Sequence, residues 1–233
     1  MKLLGILGGM SWESSAHLYG LLNREVSKRL GGLHSAHVLL HSVDFADVEV
    51  HQRSGNWAAA AEHLSAAGAG LKAAGAQALL LATNTMHVVA DEIESSVGLP
   101  LLHLVDVTAA ALRARGVHRA GLLATRYTME HGFYHQRMYS HGIELITLAS
   151  DERADVHRII YEELCRGQVL DASRERYEAC VRALVSQGAE AVILGCTEIG
   201  LLLDESSQSR SPVPLLDSTV LQAQAAVDWM LSA

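Results

Sequence analysis

The sequence predicts an α/β chain of two pseudo-symmetric domains, each a parallel sheet flanked by helices, with a ligand site in the cleft between them. Three observations carry this. Short apolar runs ending in Gly, Asn or Thr alternate with longer segments of helical period, the pattern of βαβ units around a parallel sheet. One phrase recurs: AGAQALLLATN at residues 74–84 aligns without gaps on QGAEAVILGCT at 187–197, a shift of 113 positions. Each matched phrase also puts its polar residues just past a strand end, where open parallel sheets bind ligands.

The strand candidates, in chain order, are residues 3–7, 38–43, 78–82, 101–104, 120–124, 143–148, 191–194 and 214–216. Between them, Trp57, Ala60, Leu64, Ala67 and Leu71 recur at helical spacing and stop at Gly75. Tyr177, Cys180, Val181, Leu184 and Val185 do the same and stop at Gly188, as helices ending in a left-handed glycine do. LPLLHLVDVT (99–108) answers VPLLDST (213–219), and GILGGMS (5–11) answers GLLATRY (121–127). Three phrases in one order at nearly one offset indicate a duplicated unit. The expected domains are 1–105 and 117–216, with a C-terminal helix over 217–233 packing back on the first.

A chain of 233 residues, 49% hydrophobic, can bury a full core. Its 18 Lys+Arg against 26 Asp+Glu, with no basic block, argue against nucleic acid or a membrane surface as partner. No apolar run approaches the ~20 residues of a spanning helix, and the start, MKLLGILGGMSWESS, lacks a signal-peptide pattern. Three cysteines with neither metal-ligand spacing nor a disulfide framework point to a reducing cytoplasm. The 13 histidines are dispersed and contain no H-E-x-x-H, so no metal is expected. No cofactor is expected either, because Gly8-Gly9 lacks the third glycine of a dinucleotide loop and no lysine adjoins a phosphate cup.

The strand ends hold the candidate site. Gly8-Gly9-Met10-Ser11 lets the backbone approach a small anion at a helix start. Asn84-Thr85 and Thr197-Glu198 add hydroxyls and an amide at two further expected helix starts. Taken singly, the glycines are a tight turn, Thr83 to Thr85 a capping cluster, and Cys196 a small buried hydrophobe, as Cys180 and Cys165 are expected to be. The duplication changes the weighting, because it sets Thr83 and Cys196 at matching strand ends. Two proton-transfer groups on opposite sides of one carbon are what stereoinversion requires. At a helix N-terminus the Cys196 thiol is expected to be acidified enough to rest as a thiolate base, whereas the Thr83 alcohol is a poor initial base that can return a proton. His87 is expected as a hydrogen-bonded helix residue.

The phrases GILGGMSWES, LLHSVDF, TNTMH, LLATRYTME, FYHQRM, IIYEELCRGQ and GCTEIGLLL resemble the PLP-independent aspartate/glutamate racemases, over the chain up to about residue 203. The resemblance implies two α/β domains with the site between them, no cofactor, a homodimer, and proton transfer at Cα by Thr83 and Cys196. The family pattern has cysteine at both positions, and the Thr83/Cys196 pair resembles an L-aspartate/glutamate-specific subgroup in which Cys196 would start on the L-enantiomer. Met10, Ser11, Gln52, Asn84, Thr85 and Thr197 resemble substrate-contacting residues. Gln52 stands where other members have an arginine for the side-chain carboxylate. Arg126 and Arg166 are candidates to replace that charge, although both are equally readable as solvated surface residues. The alternatives are a decarboxylase of a related small dicarboxylate, for which one thiol proton donor suffices, an isomerase of one that uses the pair for another reaction, and a non-catalytic small-anion binding protein.

Overall fold

The computed structural model describes residues 1–233 with the side chain of Glu205 excepted. The chain divides into two compact units, one of Met1–Leu104 with Gln222–Ala233 and one of Val105–Leu221. The first unit holds β1 (Leu4–Gly8), β2 (Val38–Ser42) and β3 (Ala78–Leu81) in the order β2-β1-β3, all parallel. The second holds β4 (Arg119–Ala124), β5 (Glu144–Ile146), β6 (Ala191–Gly195) and β7 (Leu215–Asp217) in the order β5-β4-β6-β7, again all parallel.

The expected strand at 101–104 does not form. Leu101 makes a single parallel bridge to Leu79, where the Leu79 N–H donates to Pro100 O and the Leu102 N–H donates to Leu79 O. A helix begins at once with Leu104. Pairing of this segment with β3 ends at that bridge. Counted as a rudimentary fourth strand, this segment gives both sheets the same strand order, which is the duplication made visible in topology.

Both faces of the first sheet are covered, so its strands read as continuous apolar runs rather than alternating ones. Leu7, Leu79 and Leu81 pack with Ala60, Leu64 and Leu71 of the helix Trp57–Ala73. The alternate residues Leu4, Ile6, Ala78 and Leu80 pack with Leu18, Leu22 and Val26 of the helix Trp12–Leu30 and with Ala223, Ala226, Val227 and Met230 near the C-terminus. Burying each such leucine contributes about 1.5–3 kcal/mol.

Two glycines admit these helices. A Cβ on Gly5 would lie 2.9 Å from Ala76 Cβ and 3.3 Å from Leu71 Cβ, and a Cβ on Gly121 would lie 2.8 Å from Leu184 Cδ1. Leu71 and Leu184 are related by the 113-residue shift, so the repeat preserves a glycine-leucine contact as well as a phrase. The paired helices, Trp57–Ala73 and Asp171–Ser186, are followed by Gly75 and Gly188 at φ 100° and 97°. No helix is long and apolar enough to cross a membrane among the described residues.

Candidate active site

In the first unit the polar residues gather at the carboxyl ends of β1 and β3, which are hydrogen-bonded neighbours. After β1 the chain must turn into a helix within three residues. Gly9 makes this possible: its φ is 94°, and a Cβ there would sit 2.1 Å from Val43 O. Ser15 Oγ accepts from the Gly9 N–H at 2.8 Å and donates to Ser11 O at 2.9 Å, tying the loop to the first helical turn. Ser11 caps that helix by accepting from the Ser14 N–H. Met10 is buried in the same apolar cluster as Val48 and Met86.

Gln52 follows Val48 by one turn on the helix Phe45–Ser54 and is only 4% exposed. Its side-chain amide makes no hydrogen bond among the described residues.

Past β3, Thr83 is partly exposed and its hydroxyl makes no hydrogen bond among the described residues, while Asn84 and Thr85 are buried. The expected capped α-helix is instead a short 3-10 helix, Thr85–Val89, and the Asn84 side chain does not cap it. His87 Nδ1 lies 2.8 Å from Thr83 O, and His87 Nε2 accepts from the Leu104 N–H at 3.2 Å. His87 is therefore a hydrogen-bonded helix residue, as expected, with a second partner that its own helix does not supply.

In the second unit the paired ends of β4 and β6 set Ala124 opposite Gly195, so Thr125-Arg126 and Cys196-Thr197 leave neighbouring strands. Cys196 and Thr197 are half-buried and Glu198 is buried. One carboxylate oxygen, Glu198 Oε2, accepts from Cys196 Sγ at 3.0 Å and from Thr197 Oγ1 at 2.6 Å. Burial first, and the Glu198 carboxylate next, hold the Cys196 thiol well above the ordinary thiol range. This overturns the expected resting thiolate. The helix that was to acidify it, Ile199–Leu202, has four residues. A helix end is worth only about 0.3–1 kcal/mol even at full length, too little against desolvation and an adjacent negative charge. Glu198, whose carboxylate adds to burial in raising the Cys196 pKa, was legible in the sequence only as a neighbour.

Arg126 and Arg166 are both exposed and make no ion pair among the described residues. Arg126 starts the short helix Arg126–Glu130, and its N–H donates to His157 Nδ1 at 3.3 Å. Burial first, and then the Arg126 cation, lower the His157 pKa. Arg166 ends the turn Leu164–Arg166, which packs against Ile199–Leu202 beside the Cys196 loop. Cys180 is fully buried on its helix, but Cys165, also expected to be buried, is half-exposed in that turn. Met10 and Ser11 thus follow β1 and Thr83, Asn84 and Thr85 follow β3, while Arg126 follows β4 and Cys196 and Thr197 follow β6; Gln52 lies on the helix Phe45–Ser54 and Arg166 in the turn Leu164–Arg166. No group of three or more His, Cys, Asp or Glu side chains is arranged to hold a metal ion among the described residues.

A family model described as Asp/Glu/Hydantoin racemase matches residues 7–226. The chain is similar over 100% of both chains to a crystal structure from Yersinia pestis assigned as an Asp/Glu racemase, with TM-score 0.93 and 48% identity. An aspartate racemase homologue from Pyrococcus horikoshii OT3 is similar over 100% of both chains, with TM-score 0.86 and 28% identity. Among curated proteins, a broad specificity amino-acid racemase of Bacillus subtilis (strain 168) is 24% identical over 169 residues, 70% of this chain and 68% of that protein.

Proposed function

The chain belongs to the Asp/Glu/hydantoin racemase family and is an amino-acid racemase, and from that premise we propose that it inverts Cα of aspartate or glutamate without a cofactor, with Cys196 and Thr83 serving opposite faces. One observation carries the reading: Thr83 and Cys196 leave equivalent strands of a duplicated fold whose two sheets share one strand order.

Starting from the L-enantiomer, the Cys196 thiolate takes the α-proton and Thr83 Oγ1 delivers one to the other face; the reverse direction exchanges the two roles. The carbanion spreads onto the α-carboxylate as an enediolate, which donors from Asn84, Thr85 and Thr197 stabilise where charge develops. Gln52 gives the side-chain carboxylate a neutral donor, and Arg126 and Arg166, exposed and in no ion pair among the described residues, are the cations proposed to balance its charge. Because the thiol is the better proton-transfer group, kcat is higher from the L-enantiomer, with KM higher in proportion because the equilibrium is symmetric. We place the enzyme in the cytoplasm as a homodimer, with exposed Leu40 on the edge strand β2 as apolar surface for a second copy. Chiral chromatography of L- and D-aspartate and L- and D-glutamate incubated with the enzyme tests the reading; formation of no opposite enantiomer from any of the four contradicts it.

The raised thiol pKa has a direct kinetic consequence. Cys196 accepts a proton only as thiolate, so kcat/KM climbs with pH as the thiol ionises, and a raised pKa moves that climb to higher pH. The substrate ammonium, a cation arriving beside the sulfur, acts in the opposite sense. Glu198→Gln removes both the negative charge and the carboxylate acceptor that raise the thiol pKa. The rising limb of the kcat/KM profile of this variant is expected to move to lower pH, and an unmoved limb would show that Glu198 does not govern the thiol.

A further inference from the structure

We propose that His87 is a positioning residue for Thr83, holding the Thr83 main chain so that its hydroxyl meets Cα during inversion. This rests on the role given to Thr83 above. The ladder of β3 closes with the Ala82 N–H donating to Leu7 O, so the carbonyl of Thr83 lies beyond the sheet and just before the 3-10 helix. There His87 Nδ1 lies 2.8 Å from it. The other ring nitrogen accepts from the Leu104 N–H at 3.2 Å. A nitrogen that accepts carries no hydrogen, so the hydrogen of the neutral ring sits on Nδ1 and is donated to Thr83 O.

The ring is 3% exposed and stacks edge-on against His103 with centroids 4.7 Å apart, so it has little freedom to turn. One imidazole therefore ties the main-chain carbonyl of the proposed proton donor to the N–H of Leu104, where the helix Leu104–Arg113 begins and the two units divide. The hydroxyl stays unengaged while its backbone is held. Misplacing a reacting group by about 1 Å can cost ~10²-fold, and Thr83, with no side-chain partner of its own, depends on its backbone for placement.

The two bonds of the ring can be separated. Asn in place of His87 keeps a donor at the Nδ1 position for Thr83 O and loses the acceptor; Gln keeps an acceptor at the Nε2 position for Leu104 and loses the donor. Two rates are read for each variant. Racemisation of L-aspartate needs both faces. Chloride release from L-3-chloroaspartate needs only α-proton removal by Cys196, because the carbanion then expels chloride from Cβ.

For His87→Gln we expect racemisation to fall about tenfold or more while chloride release stays within about threefold of wild type. His87→Asn is expected to restore most of the racemisation. Equal falls in both rates, a reversed order of the two variants, or an unchanged ratio in His87→Gln would each overturn the proposal. If His87→Gln does not fold, His87→Leu serves as the variant without a donor, read in the same way. Wild type that releases chloride without racemising would instead overturn the role of Thr83, so the two failures are distinguishable.

Discussion

Replacing Cys196 by alanine is expected to lower racemisation of L-aspartate or L-glutamate by about 10³-fold, within the range contributed by a positioned proton-transfer group. Both directions should fall together. The equilibrium between enantiomers is symmetric, so kcat/KM for L and for D must remain equal in any variant. The substitution removes a half-buried sulfur that donates to Glu198 Oε2, and binding of the substrate carboxylates is assigned to other residues. Substrate at about 100 times its Kd should therefore still stabilise the variant by about 2.7 kcal/mol. Retained turnover in Cys196→Ala would remove the thiol from the mechanism, whereas lost turnover with lost binding would recast it as a binding residue.

The second large effect is a gain. Thr83→Cys puts a thiol on the face that now has only an alcohol, and a thiol is much the better base near neutral pH. The expected result is a rise of about 10²-fold in kcat with D-aspartate or D-glutamate as substrate. The symmetric equilibrium sets what form this takes, since kcat/KM rises equally in both directions and only the separate values of kcat and KM can distinguish the enantiomers. Steady-state kinetics from each enantiomer measure it, and an unchanged kcat on the D-side would contradict the role given to Thr83.

The fold was legible because duplication leaves a signature that survives point changes. The phrase ending in Thr83-Asn84 and the phrase ending in Cys196-Thr197 carry the same glycine, an apolar strand run at the same place and the same preceding leucine contact. The segment at 101–104 was misread because an apolar run after proline looks like its partner at β7. The two segments share Pro-Leu-Leu and the same distance to the next helix, so how far pairing continues is a tertiary fact that neither local sequence announces.

The state of the candidate site residues was not legible in the sequence. Cys196 followed by Thr197 and Glu198 looked like a helix N-terminus, and a long helix there would favour the thiolate. Whether the helix runs for four residues or fourteen, and whether a carboxylate two positions on turns toward the sulfur, are tertiary facts. The same holds for His87. Its bond back to Thr83 O follows from helical spacing, but its bond to Leu104 joins segments 17 residues apart, and spacing carries no record of it.

Hydrogen isotope transfer during inversion decides the matter most directly. L-aspartate or L-glutamate is incubated with the wild-type enzyme in D₂O, and the D-enantiomer is isolated at early conversion for mass analysis of Cα. With separate groups on the two faces, each newly formed D-molecule carries one solvent deuterium at Cα from the earliest samples. A D-product that retains the original protium would mean one group carried the proton from face to face, and the pairing of Thr83 with Cys196 would be wrong.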